Sequence, residues 1–122
     1  MNEREGIRKM ASRYISGFNF KKANKYHNCK TEVDGITFDS KAEARRYITL
    51  KDEKAAGNIR WFSRQPSFLL PGDIRYRPDF IVCDCDGRIW VEDVKGMETA
   101  AFKLKQKLWN ASYPGLELRI VK

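Results

Sequence analysis

The chain has 122 residues, of which 42% are hydrophobic, 12% aromatic and 33% charged, and it carries a formal net charge of +8. That length suits one domain with a true core rather than two. No apolar run approaches a membrane span and no signal-peptide pattern is present, so a cytoplasmic globular protein is expected.

The charge is uneven. Residues 1–30 hold eight basic side chains, Arg4, Arg8, Lys9, Arg13, Lys21, Lys22, Lys25 and Lys30, against Glu3 and Glu5. A basic excess of this kind points to a polyanionic partner, most often nucleic acid. Residues 1–29 are therefore read as a basic N-terminal arm and 30–122 as the folded domain. Within the arm, Ile7, Met10, Ala11, Tyr14 and Ile15 follow helical spacing over 3–16, and Gly17 would end that helix. Its apolar stripe needs a partner, either the domain body or a second copy of the chain, which makes a homodimer through this helix an expectation. Residues 17–30 read as an irregular basic stretch with Phe18, Phe20 and Tyr26 interleaved.

Lys30-Thr-Glu-Val-Asp-Gly-Ile-Thr-Phe38 reads as a hairpin, because Asp34-Gly35 supplies the two positive-φ positions of a type I′ turn. Ser40 and Glu43 then form a capping box for a helix running to about Ala56 and stopping at Gly57. Tyr47, Ile48, Leu50 and Ala55 are its expected apolar positions. Ile59–Gln65 and Ser67–Leu70 are short strand candidates interrupted at Pro66, and Pro71-Gly72-Asp73 is a turn. Ile74–Asp84 and Arg88–Lys95 are expected as two central strands. Thr99 to about Ser112 reads as a second helix facing inward through Ala101, Leu104, Leu108 and Ala111, closed by Pro114-Gly115. Leu116, Leu118 and Ile120 alternate as a last strand. A strand that returns to its sheet after a helix pairs in parallel, so the fold class is α/β (α+β) with a mixed central sheet flanked by helices.

The three cysteines, Cys29, Cys83 and Cys85, are an odd count and argue against a disulfide framework. With His27 they could number four zinc ligands, but Cys83-x-Cys85 falls on a strand and His27-x-Cys29 is not a zinc spacing. Reduced thiols are expected.

The chemistry depends on the turn between the two central strands. With a two-residue loop at Asp86-Gly87, Phe80 lies opposite Asp93, and Asp79 and Asp93 point to opposite faces. With a three-residue loop Cys85-Asp86-Gly87, Gly87 takes the left-handed position and Asp79 faces Asp93. One face then reads Cys83, Ile81, Ile89 and Val91, ending in Asp79, Asp93 and Lys95. The other carries Phe80, Val82, Trp90, Glu92 and Val94. The second register makes both faces coherent and is the expected one. A divalent cation would relieve the repulsion between Asp79 and Asp93. Magnesium, which takes one or two carboxylates and keeps waters for phosphate, suits such a pair, with manganese substituting.

Pro78-Asp79 and Asp93-Val94-Lys95 resemble the PD and (D/E)XK elements of the PD-(D/E)XK nuclease superfamily, and Val91–Gly96 resembles its V-E-x-K-G form. FDSKAEARRY at 38–47 and FKLKQKLW at 102–109 resemble a phage-associated family of small endonucleases and Holliday junction resolvase-like proteins. The resemblance covers about 30–122 and implies a restriction-endonuclease-like αβββαβ core. It also implies magnesium-dependent endonucleolytic hydrolysis of DNA, leaving 5′-phosphate and 3′-hydroxyl ends, by nicking or by resolution of branched structures in a bacterial host. By the same resemblance Asp79 and Asp93 hold the metal with the Val94 carbonyl, and Lys95 orients the attacking water. Glu43 matches an acid on the first helix that contacts the metal or its water, although its capping role explains it equally. Glu92 departs from the pattern as a second adjacent acid, and spacing to Lys95 and strand parity favour Asp93. Lys103 and Lys107, at i, i+4 on the second helix, are the expected phosphate contacts together with Lys21, Lys22 and Lys25. Two readings stay open beside this one: a non-catalytic nucleic-acid-binding protein on a nuclease-like fold, and an activity on RNA.

Overall fold

The computed structural model describes residues 29–122. The predicted helix over 3–16 and Lys21, Lys22, Lys25 and His27 lie outside them. The chain divides after Asp52 into two compact units.

In the first unit, β1 (Thr31–Val33) and β2 (Ile36–Phe38) form the expected hairpin, with Val33 opposite Ile36. Asp34 and Gly35 have φ of 54° and 75°, the left-handed pair that a type I′ turn requires. Cys29, placed in the basic arm, is buried here. Helix α1 (Lys41–Ala55) begins where Ser40 Oγ accepts from the Glu43 N–H at 3.1 Å. It buries Glu43, Ala44, Tyr47 and Leu50. Ala55, expected inside, is exposed because it lies on the last turn beyond that stripe.

α1 stops as expected. Asn58 N–H donates to the Glu53 carbonyl and Gly57 N–H to that of Lys54, the paired bonds of a Schellman motif, with Gly57 at φ 84°.

The second unit is built on a four-stranded sheet of β3 (Ile59–Arg64), β6 (Phe80–Asp84), β7 (Ile89–Val94) and β8 (Glu117–Val121), in the order β3-β6-β7-β8. β3 and β7 flank β6 antiparallel, and β8 returns parallel to β7 after helix α2 (Ala100–Ser112). The sheet is thus mixed, as expected. The stretch Ile74–Asp84 is not one strand. It splits into β5 (Ile74–Tyr76) and β6, and β5 pairs with β4 (Phe68–Leu70) as a separate hairpin. Pro78, between β5 and β6, has no N–H to give a ladder, and the chain leaves one sheet for the other there. A matching break at Gln65, φ 49°, and Pro66 separates β3 from β4.

The core of this unit gathers Leu70, Tyr76, Val91, Phe102 and Trp109, with Phe68, Ile81, Leu108, Leu118 and Ile120 packed against it. Phe68 and Tyr113 meet Trp109 with ring centroids 4.7 Å away. The buried face of α2 is therefore Phe102 and Trp109, not the predicted Ala101, Leu104 and Ala111, which are exposed. Aromatic rings cover more apolar area than leucine or alanine, and the helix turns to bury them. Thr99 caps α2, its side chain accepting from the Phe102 N–H at 3.1 Å. No described helix is long and apolar enough to cross a membrane.

Candidate functional site

The β6–β7 connection sets the site. Cys83 pairs with Ile89, Val82 with Trp90, Ile81 with Val91 and Phe80 with Glu92. Asp84 N–H donates to the Arg88 carbonyl, and Gly87 N–H donates to that of Asp84. The loop is thus three residues, Cys85-Asp86-Gly87, with Gly87 at φ 86°. Asp84 Oδ1 braces it, accepting from the N–H groups of Asp86 and Arg88 at 2.9 Å each. The expected register is the one found, and continued one step beyond Phe80–Glu92 it sets Asp79 opposite Asp93.

Both acids are held. Asp79 Oδ2 accepts from the Val94 N–H at 2.7 Å, and the Asp79 carbonyl accepts from the Gln65 N–H. The ends of β3, β6 and β7 therefore converge on Asp79. Asp93 is 3% exposed and has two partners. Lys95 Nζ stands 3.4 Å from its Oδ1, and the Tyr76 hydroxyl donates to its Oδ2. Lys95 is the outward-reaching member, its side chain 35% exposed, with Nζ 4.9 Å from the centre of the Phe102 ring.

Tyr76 is the member of the group that sequence reasoning misses. It is buried, its ring set edge-on to Trp109 at 5.9 Å. Burial first, then the hydrogen bond from its hydroxyl to Asp93 and the negative charges of Asp93 and Asp79, push its phenol far above the ordinary tyrosine range. Both carboxylates thus act on one hydroxyl. The only sequence signal is position, since Tyr76 stands three residues before Asp79. Lys105, between Lys103 and Lys107 on α2, has Nζ 5.9 Å above the Tyr76 ring. Lys103 and Lys107 lie exposed on the outer face of α2.

Glu92, the competing acid, lies on the other face of the sheet. It is buried, and its Oε2 accepts from Trp90 Nε1 at 2.8 Å. Strand parity decides between the two acids, and Asp93 is the one on the Tyr76 face. Glu43 belongs to the first unit, where it is buried in the first turn of α1. The three cysteines are free thiols, Cys29 and Cys83 buried and Cys85 exposed. Among the described residues no three His, Cys, Asp or Glu side chains gather closely enough to hold a metal through side chains alone. The donor set in the second unit is two carboxylates beside a lysine. That chemistry fits magnesium, which uses one or two protein carboxylates and fills its remaining positions with water and phosphate.

Residues 23–122 match the DUF1064 family, described as a protein of unknown function. The chain belongs to DUF1064. The match takes in both described helices, every described strand and the whole Asp79–Asp93–Lys95 group, so the site lies inside the matched region. No curated protein matches the chain.

Proposed function

We propose that this DUF1064 protein is a magnesium-dependent endonuclease that hydrolyses phosphodiester bonds in DNA, on a restriction-endonuclease-like core. The observation that carries the reading is the pairing of β6 with β7, which brings Asp79 and Asp93 to one end of the sheet with Lys95 on Asp93. The element order supports it: helix, three antiparallel strands with the β4–β5 hairpin inserted between the first two, helix, parallel strand.

Asp79 and Asp93 would hold the cation, with the Val94 carbonyl as a further ligand. The bound cation would supply charge neutralisation at the phosphate and a water of lowered pKa. Lys95, partly solvent-exposed, is free to turn toward an attacking water or a non-bridging phosphate oxygen while Asp93 restrains it. A cation aimed at developing negative charge stabilises the transition state more than the ground state. Asp79 is kept in place by the Val94 N–H, so the two acids stay in register through turnover. Lys103 and Lys107 would bind flanking phosphates without reading sequence.

The test is conversion of supercoiled plasmid in magnesium or in EDTA. Wild type is expected to nick only with the metal. Asp79→Asn, which keeps an acceptor for the Val94 N–H, and Lys95→Ala are each expected to lose about a hundredfold or more in rate. Cutting in EDTA, or full activity in Asp79→Asn, defeats the proposal. DNA binding with no cleavage under any divalent metal favours a non-catalytic nucleic-acid-binding protein. A parallel panel of branched DNA and RNA sorts nicking from junction resolution and DNA from RNA.

A further inference from the structure

We infer that Tyr76 is the positioning residue of this site, its hydroxyl fixing the Asp93 carboxylate in the orientation in which it takes a divalent cation. The inference rests on the nuclease reading, because it needs Asp93 as a ligand.

A carboxylate buried as deeply as Asp93 needs hydrogen-bond donors on its oxygens. Lys95 reaches Oδ1, but its side chain is partly exposed, and a lysine stem has more rotatable bonds than a tyrosine. The donor to Oδ2 is of another kind. Tyr76 is 4% exposed, and its ring is trapped between Trp109 edge-on at 5.9 Å and the Lys105 ammonium, also at 5.9 Å. Its backbone is tied into the β4–β5 hairpin opposite Phe68, whose own ring packs on Trp109. A tyrosine has only two side-chain torsions, and both are set here by packing. The hydroxyl is therefore a fixed point, and Asp93 is oriented by it.

One donor on each oxygen leaves Asp93 with unused lone pairs on both, since an ionised carboxylate accepts about four hydrogen bonds. The carboxylate is held without being consumed. Groups that hold a ligand from outside typically contribute ten- to a hundredfold in metal affinity. The β4–β5 hairpin thereby gains a task. It is an insertion between sheet strands, and it delivers the hydroxyl that orients Asp93.

Tyr76→Phe isolates the hydroxyl, because the ring and its contacts to Trp109 and Lys105 remain. Three measurements on wild type, Tyr76→Phe and Asp93→Asn test the inference. They are magnesium and manganese titration by calorimetry, the rise in melting temperature on adding each metal, and plasmid nicking against metal concentration. Tyr76→Phe should bind metal about tenfold more weakly. Its metal-induced rise in melting temperature should shrink, and its half-maximal metal concentration for nicking should move up by the same factor. The rate at saturating metal should change less than threefold. A purely structural hydroxyl would lower the melting temperature equally with and without metal and leave the titrations unmoved, which overturns the inference while leaving the nuclease reading intact. If wild type binds no metal, or Asp93→Asn binds it as well as wild type, both fall together.

Discussion

Asp34 Oδ2 accepts from the Tyr47 hydroxyl at 2.9 Å and from Lys51 Nζ at 2.7 Å, tying the β1–β2 turn to α1. Burial by itself would raise the Asp34 carboxyl; the two donors and the Lys51 charge outweigh it, and the net value falls below the ordinary 3.8. A depressed folded-state value favours the ionised fold. That stabilisation is full above the unfolded-state carboxylate range and is lost as pH falls through the lower folded-state value. Asp34→Asn keeps a residue that tolerates the positive φ of this turn and removes the charge. It should cost about 1 kcal/mol at pH 7, and the gap should close in acid, below the ordinary carboxylate range. Urea unfolding followed by circular dichroism at pH 7 and in acid measures it; a gap independent of pH would mean turn strain rather than the ion pair. The same residue-level logic explains what is legible at the candidate site. Asp79, Asp93 and Lys95 are legible because strand parity relates residues across one short turn. Tyr76 is not, because its partner lies seventeen residues away, across a change of sheet and a further strand reversal. Glu92 and Asp93, adjacent and chemically alike, are separable only by parity, and the Trp90 bond to Glu92 bears that out.

Turn chemistry carries further than side-chain patterning at the level of elements. Asp34-Gly35, Gly57 and Gly87 each end or reverse an element at the expected position, since positive φ is something few other residues supply. The stripe on α2 misleads, because Leu104 and Ala111 match helical spacing as well as Phe102 and Trp109 do, and only the packed ring cluster decides between them. Pro66 reads as a break in the sequence and Pro78 does not, although the same missing N–H acts at both. Gly87 is the element-level point on which the site rests. Its φ of 86° is strained for any residue with a Cβ, and a Cβ there would meet Arg60 Nη1 at an ordinary 3.7 Å. Conformation, not space, is therefore the expected penalty. Gly87→Ala should lose about 1–2 kcal/mol, and Gly87→Asn distinctly less, because asparagine visits the left-handed region more readily. Equal losses in the two variants, measured by denaturant unfolding, would point to the Arg60 contact instead.

At the scale of the whole molecule the charge divides into two roles. The net +8 includes an N-terminal concentration of lysine and arginine, and a separate set of lysines, Lys103, Lys105 and Lys107, on α2. Lys95 and Lys105 rest against rings of the second unit, whereas Lys103 and Lys107 point away, exposed. On the proposed nuclease reading, charges held on rings near the site would serve the reacting phosphate and exposed ones flanking phosphates, whose neutralisation releases counterions. The double variant Lys103→Ala/Lys107→Ala should therefore weaken DNA binding to a similar degree on every sequence. It should flatten the slope of log affinity against log salt by about 1.8, at roughly 0.9 for each duplex phosphate that is no longer neutralised. The magnesium concentration for half-maximal nicking should not move, because neither lysine touches Asp79, Asp93 or Tyr76. Filter binding or fluorescence anisotropy across a salt series reads the slope, and nicking against metal reads the second quantity. An unchanged slope would remove α2 from the nucleic-acid surface and leave the N-terminal lysines to account for binding, whereas a sequence-dependent loss would mean that this helix reads bases rather than phosphates.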